Sequence, residues 1–209
     1  MQQGLKLVFA TVGLGLLAAC TSTTVAVDED TSFPVPLVRK LPITVGLHLP
    51  DSLRHFVHEE DLGDDGTFAI NIGDAQPTVF GNLFAGMFDT ALLIDDPTHP
   101  AADVSGTLVP TITELQFSTP FQTRTDYFEV WIRYHFQLYN RDGDLHGEFD
   151  LTAYGKANTQ NYGLNHTPPT LRAAALQACR DLMAAFTVEF IQQPVVQSWL
   201  RVELGGGRS

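Results

Sequence analysis

The chain has 209 residues, with 24 Asp and Glu against 12 Lys and Arg, a formal net charge of −12. A surface this acidic repels phosphate backbones, and no Lys/Arg cluster relieves it, so nucleic acid is excluded as a partner. The length suits one domain, and 44% hydrophobic residues with fourteen Phe can build a core without staples.

The amino-terminal segment is the most informative part of the chain. One positive charge, Lys6, precedes an apolar run from Leu7 to Leu17, and small residues follow. That is the build of a secretory signal, with a core too short to cross a bilayer. Leu17-Ala18-Ala19-Cys20 resembles the lipobox of bacterial lipoproteins. The resemblance implies a signal peptide over 1–19, removal of that signal, and a diacylated Cys20 whose new amino group is acylated in turn. Two or more acyl chains hold a protein firmly on a membrane, where one holds it marginally. The chain carries no basic patch for anionic headgroups, so attachment is assigned to the acyl chains. Thr21 after the cysteine, where an aspartate is absent, favours sorting to the outer membrane in lipoproteins of this kind. Only Cys20 and Cys179 exist, so lipidation of the first leaves no intramolecular disulfide. Cys179 lies among alanines on a predicted helix and reads as a small buried thiol.

Residues 20–40 are polar, then acidic, then proline-punctuated, and are expected to form the lipidated terminus and a flexible tether. A single domain is expected over 41–204, with a loose tail at 205–209. Ile43, Val45, Leu47 and Leu49 alternate with polar or small residues as a half-buried strand does, and Phe68, Ile70 and Ile72 repeat the pattern. From Pro77 to Asp89 the period becomes helical, through Val79, Phe80, Leu83, Phe84, Met87 and Phe88. Gly81 and Gly86 in that helix leave room either for close packing or for a ligand. Ala91–Ile94 reads as a strand, and Val104–Ser118 as a long extended segment bent near Pro110. Tyr127–Tyr139 alternates over its whole length, Asn140–Asp144 supplies a turn, and Leu145–Gly155 returns, which makes a hairpin. Thr167 is expected to cap a helix with Pro168 and Pro169 in its first turn and a buried stripe from Leu171 to Phe190. Pro194 ends it, and Val195–Leu200 reads as a short further turn. The fold class is therefore α+β, a mostly antiparallel sheet with two main helices on one face.

No constellation supports catalysis. There is no GxSxG, no Ser-x-x-Lys and no glycine-rich phosphate loop after a strand. His55 and His58 beside Glu59, Glu60 and Asp61 lack zinc-hydrolase spacing, and that segment reads as a solvated loop. Asp142-Gly143-Asp144 fails the register of a calcium loop and reads as a turn. The sequence thus leads to the expectation of no catalytic residue, no metal and no cofactor. One candidate interaction patch remains: Tyr127 and Trp131 on the polar face of the best strand, with Tyr154 across the hairpin.

The arrangement as a whole resembles the small envelope lipoproteins of Gram-negative bacteria with a YajG-like or ABC-transport-auxiliary (LptE-like) domain. The matching elements are the lipobox and tether, Phe68–Phe88, Val104–Phe117, the hairpin Tyr127–Tyr154, and Ala173–Phe190 ending near Trp199-Leu200. The resemblance implies a non-enzymatic accessory or scaffold subunit of an envelope transport or assembly system. Such a subunit is held at the periplasmic face of the outer membrane and works through protein contacts. The alternative is an envelope lipoprotein that binds a lipid or glycan, or less readily hydrolyses one, in a pocket between helix 77–89 and the sheet.

Overall fold

The computed structural model describes residues 22–28, 30–100 and 103–205, so the lipobox Leu17-Ala18-Ala19-Cys20 lies outside it. The fold is α+β with two sheets. A five-stranded sheet has the order β5-β2-β6-β7-β8, from β2 (Leu41–Leu47), β5 (Phe88–Leu93), β6 (Gly106–Ser118), β7 (Tyr127–Asn140) and β8 (Leu145–Asn158). A three-stranded sheet has the order β1-β4-β3, from β1 (Ser22–Ala26), β3 (Val57–Asp61) and β4 (Thr67–Asn71). The helices are α1 (Asp51–Arg54), α2 (Gln76–Met87), α3 (Pro120–Thr123), α4 (Thr167–Glu189) and α5 (Pro194–Gly205).

β6, β7 and β8 are antiparallel over their long ladders, as their alternation predicts, whereas β2 runs parallel to both β5 and β6. The β6–β7 register shifts between Ile112 and Glu114, just beyond Pro110. β2 accompanies β6 only from Gly106 to Leu108, so Pro110, which has no N–H to give, sits past the end of that ladder.

The inner faces of the sheets and the helices enclose one core of phenylalanines. Phe136 stacks on Phe149 at 4.9 Å between ring centroids, and Phe186 on Phe190 at 4.7 Å. Phe136 meets Phe186 at 5.2 Å, joining the two stacks, and Phe84 of α2 approaches Phe186 at 5.9 Å. The stripe predicted for α4 is buried throughout: Leu171, Ala175, Ala178, Leu182, Phe186 and Phe190. His166, where Thr167 was expected, occupies the cap position, and Pro194 begins a full helix, longer than the turn the sequence suggested.

One small polar cluster lies inside this core. The Tyr134 hydroxyl donates to Gln76 Oε1 (3.2 Å), and Gln76 Nε2 donates to the Ile72 carbonyl (3.0 Å) with Cys179 Sγ 4.0 Å away. A buried amide placed this way leaves its polar atoms satisfied. Burial pushes the Cys179 thiol up to about 12, so this thiol is protonated and inert at neutral pH.

Two sequence expectations are corrected. Among the described residues regular structure is already present at Ser22, well before Leu41, and 22–28 and 31–33 of the segment read as a tether lie on the domain. β1 pairs in parallel with β4, from Ser22 opposite Thr67 to Ala26 opposite Asn71, and Val25, Val27 and Phe33 are buried. Arg172 of α4 donates to the Ala26 carbonyl (2.8 Å) and reaches Asp28 (3.4 Å), while Arg180 and Asn82 donate to the carbonyls of Ser32 and Phe33. These helix side chains hold the segment mainly by its backbone carbonyls, which its composition does not reveal. The stretch His55–Asp61, read as a loop, contains β3, an edge strand with Val57, Glu59 and Asp61 outward and His58 and Glu60 half-buried.

α4 reaches β8 closely because Gly155 has no side chain. A Cβ there would strike the Ala174 carbonyl oxygen and the Ala178 nitrogen, which are helix backbone and cannot yield. Gly155→Val is expected to cost about 3 kcal/mol or more, as overpacking against rigid neighbours does. A fall in the urea midpoint at constant m checks it.

Candidate functional site

The sheet built from β6, β7 and β8 turns one row of side chains to the core and the other outward. α2, α4 and α5 all meet its inner row, through Phe80 against Phe136, Ala174 against Gly155 and Val195 against Gly147. The outer row forms successive rungs: Ser118–Glu129–Lys156, Gln116–Trp131–Tyr154, Glu114–Arg133–Thr152 and Thr111–His135–Asp150.

Trp131 and Tyr154, both expected in the patch, are cross-strand partners with ring centroids 5.2 Å apart. Tyr154 donates its hydroxyl to Glu129 Oε1 at 2.6 Å, and Ser118 donates to the other carboxylate oxygen at 3.3 Å. The carboxylate holds the phenol's proton, and with some desolvation this pushes Tyr154 up to about 12. Tyr127, the third expected member, stands apart at the end of the hairpin, with Lys156 Nζ 5.2 Å from its ring centroid. Beside Trp131 is a shallow depression of about 280 Å³ lined also by Glu114, Gln116, Arg133 and Thr152. Arg133 pairs with Glu114 at 3.6 Å, and Gln116 donates to the same carboxylate at 2.6 Å.

Farther along, His135 Nδ1 is 2.7 Å from Asp150 and Nε2 is 3.6 Å from Glu148. The Gln137 amide donates to Glu148 at 2.7 Å and, with His135, holds that carboxyl below its ordinary range. Both imidazole nitrogens thus face carboxylates, and the ring makes no hydrogen bond to a hydroxyl that it could activate. The outer face thus carries a flat aromatic pair framed by fixed acceptors and one guanidinium.

A second concave feature lies between α2 and the β2–β5 edge. This apolar groove of about 460 Å³ is lined by Leu47, Leu49, Gly81, Phe84, Phe88 and Leu93, among others. The two glycines of α2 do different things. Gly86 packs against Pro36, whose ring carbon would lie 2.7 Å from an added Cβ, whereas a Cβ on Gly81 would meet nothing within 4 Å. The sequence pointed to this helix face but not to the lip, where Leu93 of the edge strand is 75% exposed.

Among the described residues, no group of three or more His, Cys, Asp or Glu is placed to hold a metal ion. His58 lies 3.3 Å from Glu60 along β3 and packs edge-on against Phe117, so the strand does not form the common helical face that His55 and His58 would need to act together. Among the same residues, no helix is long and apolar enough to cross a membrane.

No protein-family model matches the chain, and comparison with curated proteins finds none similar. Solved structures of similar arrangement include a DUF330-family protein of Xanthomonas campestris, 9% identical with a TM-score of 0.49 over 85% of this chain and 96% of that one. A minor lipoprotein of Acinetobacter baumannii is 17% identical, with a TM-score of 0.41 over 74% of this chain and 92% of that one.

The Glu129–Tyr154 bond yields a direct test of the outer face. Glu129→Gln is expected to bring the Tyr154 titration from about 12 down toward the ordinary phenol value of 10.0, read by ultraviolet absorbance against pH. The other tyrosine transitions are expected to stay in place.

Proposed function

We propose that this chain is an envelope lipoprotein, acylated at Cys20 and held at the periplasmic face of the outer membrane. There it serves without catalysis as an accessory or scaffold component of a transport or assembly system. The observation that carries the reading is the pairing of a lipobox with a domain on which the outer row of β6–β8, from the Thr111–His135–Asp150 rung to the Ser118–Glu129–Lys156 rung, is left uncovered by the described residues, while Thr107 and Val109 at its other end are buried. All three longer helices are on the other side. The Trp131–Tyr154 pair, flanked by Glu129 and Arg133, has the aromatic and arginine character of protein-contact hot spots.

The test is made on the full chain in its native membrane. Mass spectrometry of the mature amino terminus is expected to find an acylated cysteine, and Cys20→Ala to lose the membrane fraction. A photo-crosslinker placed at Trp131 is expected to capture a discrete envelope protein. An unmodified Cys20 removes the anchor, and crosslinking that yields only free chain removes the scaffold role.

The groove beside Gly81 favours a second reading, a binding site for an acyl chain or similar apolar ligand, since its volume falls within the range of small-molecule sites. Gly81→Leu would place a side chain into open space. It is expected to weaken binding of a fluorescent fatty acid at least tenfold while raising helix stability by about 1 kcal/mol, the propensity difference from Gly. Unchanged probe binding would sink this reading.

A further inference from the structure

We propose that the end of the domain around Ser22, Phe121 and Leu164 rests directly on the lipid surface that holds the amino terminus, with those two apolar side chains entering the headgroup region. The proposal depends on the acylation of Cys20 argued above.

The first argument is covalent. Only Thr21 separates Cys20 from Ser22, the first residue of β1, and a chain spans at most ~3.6 Å per residue. Ser22 therefore lies within about 7 Å of the acylated residue, and the segment that might have held the domain away is bound along β4 and α4. An anchor so short fixes which end of the molecule faces the membrane.

The second argument is what that end presents. Ser22 and Phe121 line one cavity of about 470 Å³, together with Phe68, Phe128, His166 and Pro168. Phe121, on the four-residue turn α3, is 77% exposed, and Leu164, two residues before His166 in the β8–α4 connection, is fully exposed. The capping box of Thr119 and Gln122 fixes α3, so the exposure of Phe121 belongs to a built turn. Inside the cavity lining, His166 Nδ1 is shielded from water and has no hydrogen-bond partner among the described residues. A polar headgroup could supply one. Asp65 and Arg124 stand beside Phe121 with opposite charges, so the described residues of this end form no basic cluster, and apolar insertion would have to supply the contact.

The opposite end makes the control. The turn after β7 holds Asp142 and is separated from this end by the length of a 14-residue strand, about 45 Å at ~3.3 Å per residue. Cys179 is buried with its thiol pushed up to about 12, so an introduced surface cysteine can be labelled alone. The lipidated full chain carrying Phe121→Cys, Leu164→Cys or Asp142→Cys is labelled with an environment-sensitive fluorophore. Each variant is reconstituted into phosphatidylcholine vesicles containing a headgroup-depth quencher lipid. Labels at 121 and 164 are expected to be quenched several-fold more than the label at 142, with blue-shifted emission. Equal quenching at the three positions in a chain shown by mass to be acylated overturns the membrane-facing end and leaves the anchor standing. A chain found unacylated overturns both.

Discussion

The seating of α4 across the long hairpin is the constraint on which the other elements depend. Gly155 lets the helix backbone come down onto β8, and that depth brings Phe186 and Phe190 into the stacks with Phe136 and Phe149. α2 then packs on α4 through Phe84 and Phe186, and Gln76 at its start reaches Tyr134 and Cys179. The amino-terminal strand closes against the same helix through Arg172. Raise α4 by one methyl group and each of these contacts lengthens together, because cores are packed as solids and do not yield locally.

The hairpin and α4 were legible in the sequence because each buries one face against water along its whole length, so period two and period 3.6 are written in unbroken form. β1 and β3 were not. In β1 the alternation is short, Thr23 to Val27, and its partners Asn71 and Arg172 are remote in the chain. In β3 both faces carry polar groups, so an edge strand presents the composition of a loop. The same physics limits the sites. That Trp131 and Tyr154 share a face followed from alternation, but the carboxylate binding Tyr154 depended on the register, and the groove by Gly81 depended on where β5 pairs.

The outer row of β6–β8 and the core row behind it show how one ladder serves two purposes. Inward residues are almost uniformly apolar and fully enclosed, which makes the sheet stiff. Outward residues satisfy one another: Glu129 with Tyr154 and Ser118, Glu114 with Arg133 and Gln116, Glu148 with Gln137. Groups that hold one another in this way keep little side-chain freedom, so the outer face is ordered as well as the core.

The parallel pairing of β1 with β4 has a mechanical meaning. A pull applied at Ser22 runs along the strand axis, so it loads the rungs from Ser22–Thr67 to Ala26–Asn71 in shear, all at once. Peeling, which breaks rungs singly, would require a force across the strand. Arg172 adds a side-chain clasp at the far end of the ladder, on the Ala26 carbonyl. Tension applied at Ser22 is thus passed into the sheet and α4 as a shared load, and β1 is the strand that takes it first.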